Sequence, residues 1–183
     1  MYRYSTIFFI KLRREFLYNP EIHNRKSHRL TNFNYSNKGS YFITICTHNR
    51  ANLFGSICNN IMHLNNFGIL VNKKYLELQF VYPNITLDAY IIMPNHFHGI
   101  ITINKSLPNN KNLGNIIGRF KSETTHEYIL GVKQNIFPAF DKKIWQRDYN
   151  DHLIRNEQSY INIKNYIINN PSLWKNDYYN NLK

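Results

Sequence analysis

ITLDAYIIMPNHFHGIITIN, residues Ile85 to Asn104, is the stretch of sequence that decides the fold. It contains two runs with the alternation and the β-branched content of strands, Ile85 to Met93 and His96 to Asn104. Only Pro94 and Asn95 separate them, and such a pair between two strand-like runs is typical of a tight turn. The stretch is therefore predicted to form an antiparallel hairpin.

The segments around this hairpin alternate between strand and helix patterns. A strand is predicted upstream because its side chains fall into two alternating sets, Tyr41, Ile43 and Ile45 against Phe42, Thr44 and Cys46. Two helices are predicted after it, because apolar residues there recur every three or four positions, and a third is predicted near the end of the chain. The predicted elements outside the hairpin are a strand at Ser40 to Thr47, a helix at Asn65 to Phe80, a helix at Leu113 to Tyr128, a short fourth strand at Ile144 and Trp145, and a helix at Glu157 to Asn169.

The last predicted helix has recognisable ends. Asn156 can cap its first turn, and Pro171 is expected to stop it. The order strand, helix, strand, strand, helix, strand, helix predicts an α+β fold of ferredoxin-like type. We expect a sandwich with a mainly antiparallel sheet of four to five strands and helices packed on it.

Composition indicates a folded, basic chain. Of the 183 residues, 43% are hydrophobic and 19% are charged, which excludes a disordered polyelectrolyte. Lys plus Arg 23 against Asp plus Glu 11 gives a formal net charge of +12, a balance that attracts polyanions such as nucleic acid. A basic protein with an ordinary solvated surface is the alternative, and charge alone does not choose between the two.

Cysteine content and hydropathy set the expected compartment. Cys46 and Cys58 form neither a disulfide framework nor a zinc-ribbon pattern, which fits a reducing cytoplasm. No apolar stretch is long enough to span a bilayer, so no membrane partner is expected. The apolar run Tyr4 to Ile10 precedes its basic residues, the reverse of a secretory signal. Residues 1–17 are predicted to be a poorly specified arm, and residues 18–183 one domain.

His96 and His98 are a candidate metal half-site. One residue apart in a strand, they project from the same face of the sheet, about 7 Å apart along the strand. Two imidazoles can share one divalent cation, although two ordinary surface or core histidines would give the same pattern. Two imidazoles would also accept zinc, but the absence of a cysteine-ligand pattern and an oxygen-rich phosphate substrate favour Mg²⁺ or Mn²⁺.

The string MPNHFHGIITI, read together with the rest of the chain, resembles the REP-associated tyrosine transposases, a branch of the HUH single-tyrosine transposase superfamily. HUH denotes two histidines around one hydrophobic residue, here His96, Phe97 and His98. The resemblance covers nearly the whole chain from Tyr18 onward. Its strings appear in the order expected for that family: YNPEIHNRKSHRL at 18–30, YFITICTHNRANLFG at 41–55, LDAYIIMPNHFHGI at 87–100, IIGRFKSETT at 116–125, IWQRDYNDHLIRNE at 144–157 and YIINNPSLW at 166–174.

This resemblance implies an activity and a nucleophile. It implies a metal-dependent endonuclease and strand transferase for single-stranded DNA, a transposase acting at palindromes that fold into hairpins. In the family pattern the nucleophile is Tyr166, and it forms a 5′-phosphotyrosine linkage with DNA. Without the resemblance, Tyr166 would be read as a core aromatic residue. The resemblance also implies a bacterial, nucleoid-associated protein that is a monomer or a homodimer.

The third metal ligand is also implied by the resemblance. Related enzymes place a polar residue four positions after the tyrosine, and here that residue is Asn170. Four residues along a helix bring Tyr166 and Asn170 to one face. Because Asn170 precedes Pro171, its backbone is expected to be pushed from helical values, so Asn169 remains an alternative ligand.

Candidate DNA-binding residues lie in two basic clusters. The second half of the chain interleaves basic and aromatic residues, as suits a single strand whose backbone is read by charge and whose bases stack. Of its aromatic members, Trp145 is expected to pack in the core. An N-terminal cluster is a candidate grip on a duplex stem. The candidates are Arg119, Lys121, Lys142, Lys143, Arg147, His152 and Arg155 with Phe120, Trp145 and Tyr149, and, near the N-terminus, Arg25, Lys26, His28 and Arg29.

A different class of function remains open at this point. A ferredoxin-like DNA- or RNA-binding regulator that does not cut would need the same positive charge. It would have no need for the set of His96, His98, Tyr166 and Asn170.

Overall fold

The computed structural model describes residues 38–107 and 111–180. The predicted arm at 1–17 and the basic cluster at 25–29 lie outside the described residues, so both stay predictions. The strands are β1 (Gly39–Cys46), β2 (Gly55–Cys58), β3 (Ile61–Leu64), β4 (Ile85–Met93), β5 (His96–Ile103) and β6 (Asn150–Ile154), and the helices are α1 (Asn66–Val81), α2 (Leu113–Lys133) and α3 (Glu157–Leu173).

Four of the strands form an antiparallel sheet in the order β4, β5, β1, β6. The predicted hairpin is confirmed, because β4 pairs with β5 and Met93 lies opposite His96 across the turn. Strand β1 is central and pairs Cys46 with His96 and Thr44 with His98. The predicted α+β class with a mainly antiparallel sheet is therefore confirmed.

The two faces of this sheet are covered by different helices. Tyr41, Ile43 and Ile45 enter the hydrophobic core together with residues of α1 and α2, such as Tyr75 and Phe120. The alternate residues of β1 point to the opposite face, where the ring of Phe42 packs edge-on against Tyr166 of α3. The alternation predicted from the sequence thus separates an apolar face from a face that carries both histidines.

The predicted fourth strand was wrong in position. Trp145 makes one isolated bridge to Thr47, and the strand that completes the sheet is β6, which pairs with residues 40–44 of β1. Trp145 is instead a core residue, as predicted separately: it is buried, and its indole N–H donates a hydrogen bond to Thr124 Oγ1. The sequence NDHLI of β6 has too little apolar alternation to give a clear strand signal.

A second, small hairpin was not predicted. Strands β2 and β3 pair through a two-residue turn at Asn59 and Asn60, whose φ values are 50° and 62°. Two consecutive asparagines can occupy the left-handed region that a tight hairpin turn needs. A pair of asparagines is ambiguous in an asparagine-rich chain, so this segment looked like a polar turn.

Pro171 does not stop α3, contrary to the prediction. The helix begins after Asn156, which caps it by accepting a hydrogen bond from the Ser159 N–H, and it runs to Leu173 with Pro171 inside it. Pro171 stands in the last turn and is buried, and its missing N–H removes one hydrogen bond of the helix. Asn170 therefore keeps its place within the helix. Within the described residues, no helix combines the length and the apolar character needed to cross a membrane.

Candidate active site

The two histidines of β5 lie side by side on the face covered by α3. His96 and His98 are 0% and 1% exposed, and their ring centroids are 4.5 Å apart. Between them, Phe97 points to the opposite face and packs against Tyr75. The spacing of one residue in a strand explains both observations, so the prediction that the imidazoles share a face is confirmed.

Each imidazole is held through its Nδ1 atom. His96 Nδ1 lies 2.9 Å from Asn95 Oδ1, and His98 Nδ1 lies 2.8 Å from Thr44 Oγ1. An amide oxygen only accepts, so Nδ1 of His96 carries the proton and its Nε2 presents a lone pair. Such a hydrogen bond at the second ring nitrogen is the usual way in which proteins orient a metal-binding histidine.

Helix α3 brings Tyr166 and Asn170 to the same place. The Tyr166 hydroxyl is 3.4 Å from His98 Nε2, and the phenol ring packs edge-on against the His98 ring. Asn170, one turn later, is fully buried and lies beside His96, where its side chain partly offsets the lowering of the imidazole pKa by burial. Four predicted site residues, from two distant parts of the sequence, therefore meet at one point.

Several polar atoms at this point lack partners within the described part of the chain. They are Nε2 of His96 and both side-chain polar atoms of Asn170. A buried polar group without a hydrogen bond costs about 1–3 kcal/mol, so folded proteins rarely keep one without a reason. Asn169, the alternative ligand, is exposed on the outside of α3, and its amide nitrogen donates to the Asn165 carbonyl.

Burial keeps both imidazoles neutral. It lowers the pKa of His98 to about 3. The pKa of His96 also lies well below its ordinary value, first because of burial and then because a charge on His98 would repel its own. Only a neutral imidazole has a lone pair for a metal ion, so both rings are in the protonation state that ligation requires.

The residues present fit a divalent cation. Two neutral imidazoles and one carboxamide converge, and Nε2 of His96 and the Asn170 amide are the partnerless atoms of that set within the described residues. Nitrogen and oxygen donors of this kind suit Mn²⁺ and other first-row ions, and Mg²⁺ through the oxygen. The described residues contain no group of three or more His, Cys, Asp or Glu placed to hold a metal, and the amide oxygen of Asn170 could serve as a further donor beside the two imidazoles.

Residues 174–180, which we call the C-terminal segment, cover the histidines and were missed in the sequence. The Tyr179 ring lies 4.6 Å from the His96 ring and 5.9 Å from the His98 ring, measured between centroids. Two contacts hold the segment: Arg50 donates to the Tyr178 carbonyl, and Asn95 donates to the Tyr179 carbonyl. The segment has no regular periodicity, and its aromatic residues after α3 were the only available signal.

The predicted DNA-binding residues of the second half are dispersed. Arg119 is ion-paired with Glu123 on α2 at 2.6 Å, and His152 lies in β6 opposite Phe42. Arg155 follows β6 and is exposed. Arg25, Lys26, His28 and Arg29 lie outside the described residues.

Three of the basic candidates are close together. Lys121, Lys143 and Arg147 line one cleft between α2 and the loop that follows it. The aromatic residues predicted among them do not line up for stacking, because Phe120 and Trp145 are buried in the core. Lys142 is exposed and does not line the cleft.

Comparisons with known proteins give a relative and a fold. No family model matches the chain. An uncharacterized protein of Haemophilus influenzae is 39% identical over an alignment of 178 residues, which covers 87% of this chain and 95% of that protein. Among solved structures, a REP-associated tyrosine transposase bound to a REP hairpin has a TM-score of 0.56 at 20% identity, covering 80% of this chain and 73% of its own.

A second solved structure, a putative transposase of Deinococcus radiodurans, has a TM-score of 0.48 at 14% identity, covering 80% of this chain and 97% of its own. The fold found above is thus shared with the hairpin-bound transposase. At 39% identity over nearly the full length of both proteins, the chain belongs to the same family as the uncharacterized Haemophilus influenzae protein.

Proposed function

We propose that the protein is a metal-dependent endonuclease and strand transferase for single-stranded DNA, a transposase that acts at hairpin-forming palindromes. One observation carries the proposal: the partly buried Tyr166 hydroxyl lies against the His98 imidazole, and the buried His96 imidazole and Asn170 amide lie beside it on the same face of the sheet. Packing alone does not require such a set, because apolar groups of the same shape can replace buried polar groups at little or no cost in stability.

Tyr166 would act as the nucleophile. Its oxygen attacks phosphorus, a bond from Oη to phosphorus forms, the bond from phosphorus to the 3′ oxygen breaks, and the phenolic proton ends on the released 3′-hydroxyl. One phosphodiester replaces another, so the step can be reversed by a second 3′-hydroxyl and consumes no nucleotide cofactor. Phe42 packs against the rings of Tyr166 and His98 and fixes their relative orientation.

His96, His98 and Asn170 would hold a Mg²⁺ or Mn²⁺ ion. The bound ion supplies Lewis-acid polarisation of a nonbridging phosphate oxygen. The burial of Asn170 beside His96 supports this residue over Asn169, whose side chain is exposed on the outer side of the helix. A free phenol has a pKa of about 10, so nearby positive charge would favour its deprotonated form.

DNA is the proposed partner. The net charge of +12 favours a polyanion, and the structural neighbour of the same fold is described with a REP hairpin bound to it. Arg147 and Arg155 expose their side chains and can reach a phosphate backbone. These residues support nucleic-acid binding in general and do not choose a DNA sequence.

One observation favours the second candidate, a nucleic-acid binder that does not cut. His96 is fully buried beneath the C-terminal segment, and Trp174 and Tyr179 both pack near its ring. A phosphate can approach His96 only after this segment moves. If the segment never moves, the site stays closed and the protein only binds.

The decisive experiment is a search for a covalent adduct. The purified protein is incubated with Mn²⁺ and a library of fluorescent hairpin oligonucleotides that carry random single-stranded tails, and a denaturing gel then detects labelled protein. We expect an adduct with the native protein, its loss by at least about a thousandfold in Tyr166→Phe, and its retention in Tyr178→Phe.

Tyr178 is the matched control because its ring is on the surface, with the Arg50 guanidinium stacked on it at 4.6 Å. An adduct that persists in Tyr166→Phe would contradict the assignment of the nucleophile. Mobility shifts on native gels without any adduct would favour the non-cleaving binder.

A further inference from the structure

A basic cleft lies outside the site described above. It has a volume of about 480 Å³ and runs between α2 and the loop at residues 143–147. Its cations are Lys121, Lys143 and Arg147, with His126 at the same surface, and no Asp or Glu is among its lining residues in the described part of the chain. A concave surface that gathers cations without acids attracts an anion.

Lys121 is fixed at the back of this cleft. Its ammonium donates to the carbonyls of Gln146 and Arg147 at 2.6 and 2.8 Å, which leaves one of its three N–H donors for a ligand. Burial lowers the pKa of Lys121, the charge of Asp148 raises it, and the like charge of Lys143 lowers it further. A bound phosphate would offset both unfavourable effects.

The other lining residues suit a nucleotide rather than a bare anion. The exposed side chain of Ile129 gives the cleft an apolar wall, and Ser122, Thr125 and Gln146 add side chains that hydrogen-bond. A few placed polar groups on an apolar wall are typical of sites that bind a ring system, and the volume lies within the usual range for small ligands.

Backbone hydrogen bonds place the cleft near the two histidines. Gln146 donates to the Cys46 carbonyl at 2.9 Å, and Cys46 lies opposite His96 in the sheet. The backbones of the loop and of His96 are thus two strand spacings, about 10 Å, apart. Because α2 and the His96 ring lie on opposite faces of the sheet, a DNA strand has to pass the edge of the sheet, and its path is longer than this spacing. Since one strand of DNA advances by roughly 3.4 Å per nucleotide when stacked and further when extended, the path takes at least about three nucleotides.

We propose that this cleft binds one nucleotide of the DNA strand that Tyr166 attacks, at least three nucleotides from the reacting phosphate. Its phosphate lies against Lys121, Lys143 and Arg147, and its base lies on the exposed side chain of Ile129. The assignment rests on the proposed function for the identity of the strand. Binding of single-stranded DNA in the cleft can be tested without any cleavage.

The first test measures binding with the chemistry switched off. A fluorescent 20-nucleotide oligo(dT) is titrated into the Tyr166→Phe protein in EDTA at several salt concentrations. Adding Lys143→Ala and Arg147→Ala should weaken binding about tenfold at 50 mM salt. The slope of log K against log salt should fall by about 0.7 for each phosphate that the protein no longer neutralises.

The matched control removes the same charge elsewhere. Lys105 follows β5 at the far end of the sheet, Lys133 ends α2, and both are exposed and outside the cleft. Lys105→Ala with Lys133→Ala should weaken binding less than threefold with little change of slope. Equally weakened binding in the two double variants would overturn the proposal, since it would mean general attraction rather than a site.

The second test locates the nucleotide and separates the two proposals. On an oligonucleotide that forms the Tyr166 adduct, abasic positions are introduced one at a time. One position three or more nucleotides from the reacting phosphate should slow adduct formation in the protein with Lys143 and Arg147 intact, and should lose this effect in the double variant. If every position along the strand were equally sensitive, the proposed nucleotide site in the cleft would be wrong, while Tyr166 would remain the proposed nucleophile. If the cleft bound DNA as expected but no adduct formed, the assignment of the nucleophile would be wrong and the nucleotide site would remain.

Discussion

The two faces of the sheet are built from the same strands and follow opposite rules. On the face beneath α1 and α2, Phe97 and Tyr75 pack ring against ring at 4.6 Å inside a core of buried apolar side chains. On the face beneath α3, the neighbouring positions are His96 and His98, and the helix adds a buried amide, Asn170. Strand alternation alone separates the two environments, since Phe97 stands between the histidines.

This difference separates the residues that stabilise the fold from those that form the candidate site. The apolar face gains free energy from every buried ring, at about 25 cal/mol for each Å² removed from water. The polar face buries groups whose partners are absent within the described residues, which lowers the free energy of unfolding. We interpret the first face as the scaffold and the second as the site that it holds. The predictions below change one face at a time.

The largest effect is expected on the apolar face. Phe97→Ala should lower the free energy of unfolding by about 3–5 kcal/mol, because a fully buried ring would leave a cavity between Tyr75 and Phe120. Urea unfolding followed by circular dichroism measures it. Phe80→Ala is the matched control: its ring is 86% exposed, so its loss should change stability by no more than about 0.5 kcal/mol. Similar destabilisation in the two variants would contradict the division into faces.

The sequence predicts the apolar face better than the polar one, for a physical reason. Periods of two and of about 3.6 residues report which side chains are buried, so the hairpin at β4 and β5, the two sets of residues in β1 and helices α1 and α2 were predictable. The strand period of two residues also predicted that both histidines lie on one face of the sheet. It could not show that Tyr166, 68 residues beyond His98, meets them, because that contact depends on how α3 crosses the sheet.

The features that the sequence did not predict also share a cause. β6 and the C-terminal segment are defined by long-range contacts, with β1 and with Arg50 and Asn95 respectively, and carry little periodic signal of their own. The dispersal of Arg119 and Arg155 likewise depends on tertiary structure. Basic residues close in sequence need not share a surface, and among the described candidates only three meet in the cleft.

The next effect is a dependence of stability on pH that belongs to the polar face. Both histidines have pKa values lowered by burial, to about 3 for His98, whereas in the unfolded chain each titrates near 6.5. The unfolded state therefore binds more protons as the pH falls, and stability present above about pH 6.5 is lost below it. Between pH 7.5 and 5.5 the loss should be about 1.4 kcal/mol for each histidine, and about 3 kcal/mol together.

Urea unfolding in a metal chelator at the two pH values measures this loss. His98→Gln removes one of the two groups, so its stability should fall by about half as much over the same range. Other titrating groups contribute equally to both proteins and cancel in the comparison. Identical pH dependence in the two proteins would mean that His98 is not a buried neutral imidazole.

A smaller effect with the opposite sign is expected at Asn170. Asn170→Leu should raise the free energy of unfolding by about 1–2 kcal/mol without metal, because it replaces a buried amide that lacks partners among the described residues with an apolar group of similar size. Mn²⁺ should raise the melting temperature of the native protein and not that of this variant.

Asn169→Leu is the matched control, one residue away and exposed. It should change stability by no more than about 0.5 kcal/mol and keep the response to Mn²⁺. If Asn169→Leu abolished that response and Asn170→Leu kept it, the ligand assignment would have to move to Asn169.

The smallest effect concerns how α3 is attached to the sheet. Asp88 of β4 accepts hydrogen bonds from the Tyr160 hydroxyl and from Lys164, roughly one and a half turns and half a turn before Tyr166. Asp88→Asn should lower the free energy of unfolding by about 1 kcal/mol, since the pair is only partly buried. It should also slow adduct formation by a few fold, because the helix that presents Tyr166 loses an anchor on the sheet.

Glu77→Gln provides the control on the other face. Glu77 pairs with Lys73 and Lys74 on α1, at 3.9 and 3.0 Å, and its substitution removes the same charge. It should change stability by about 0.5 kcal/mol and leave the adduct rate unchanged. A purely structural role of Asp88 predicts that the rate per folded molecule stays constant. If adduct formation is slower at an equal folded fraction and Asp88→Glu restores its rate, Asp88 positions the Tyr166 phenol. A residue of strand β4 would then affect the reaction through its contact with α3.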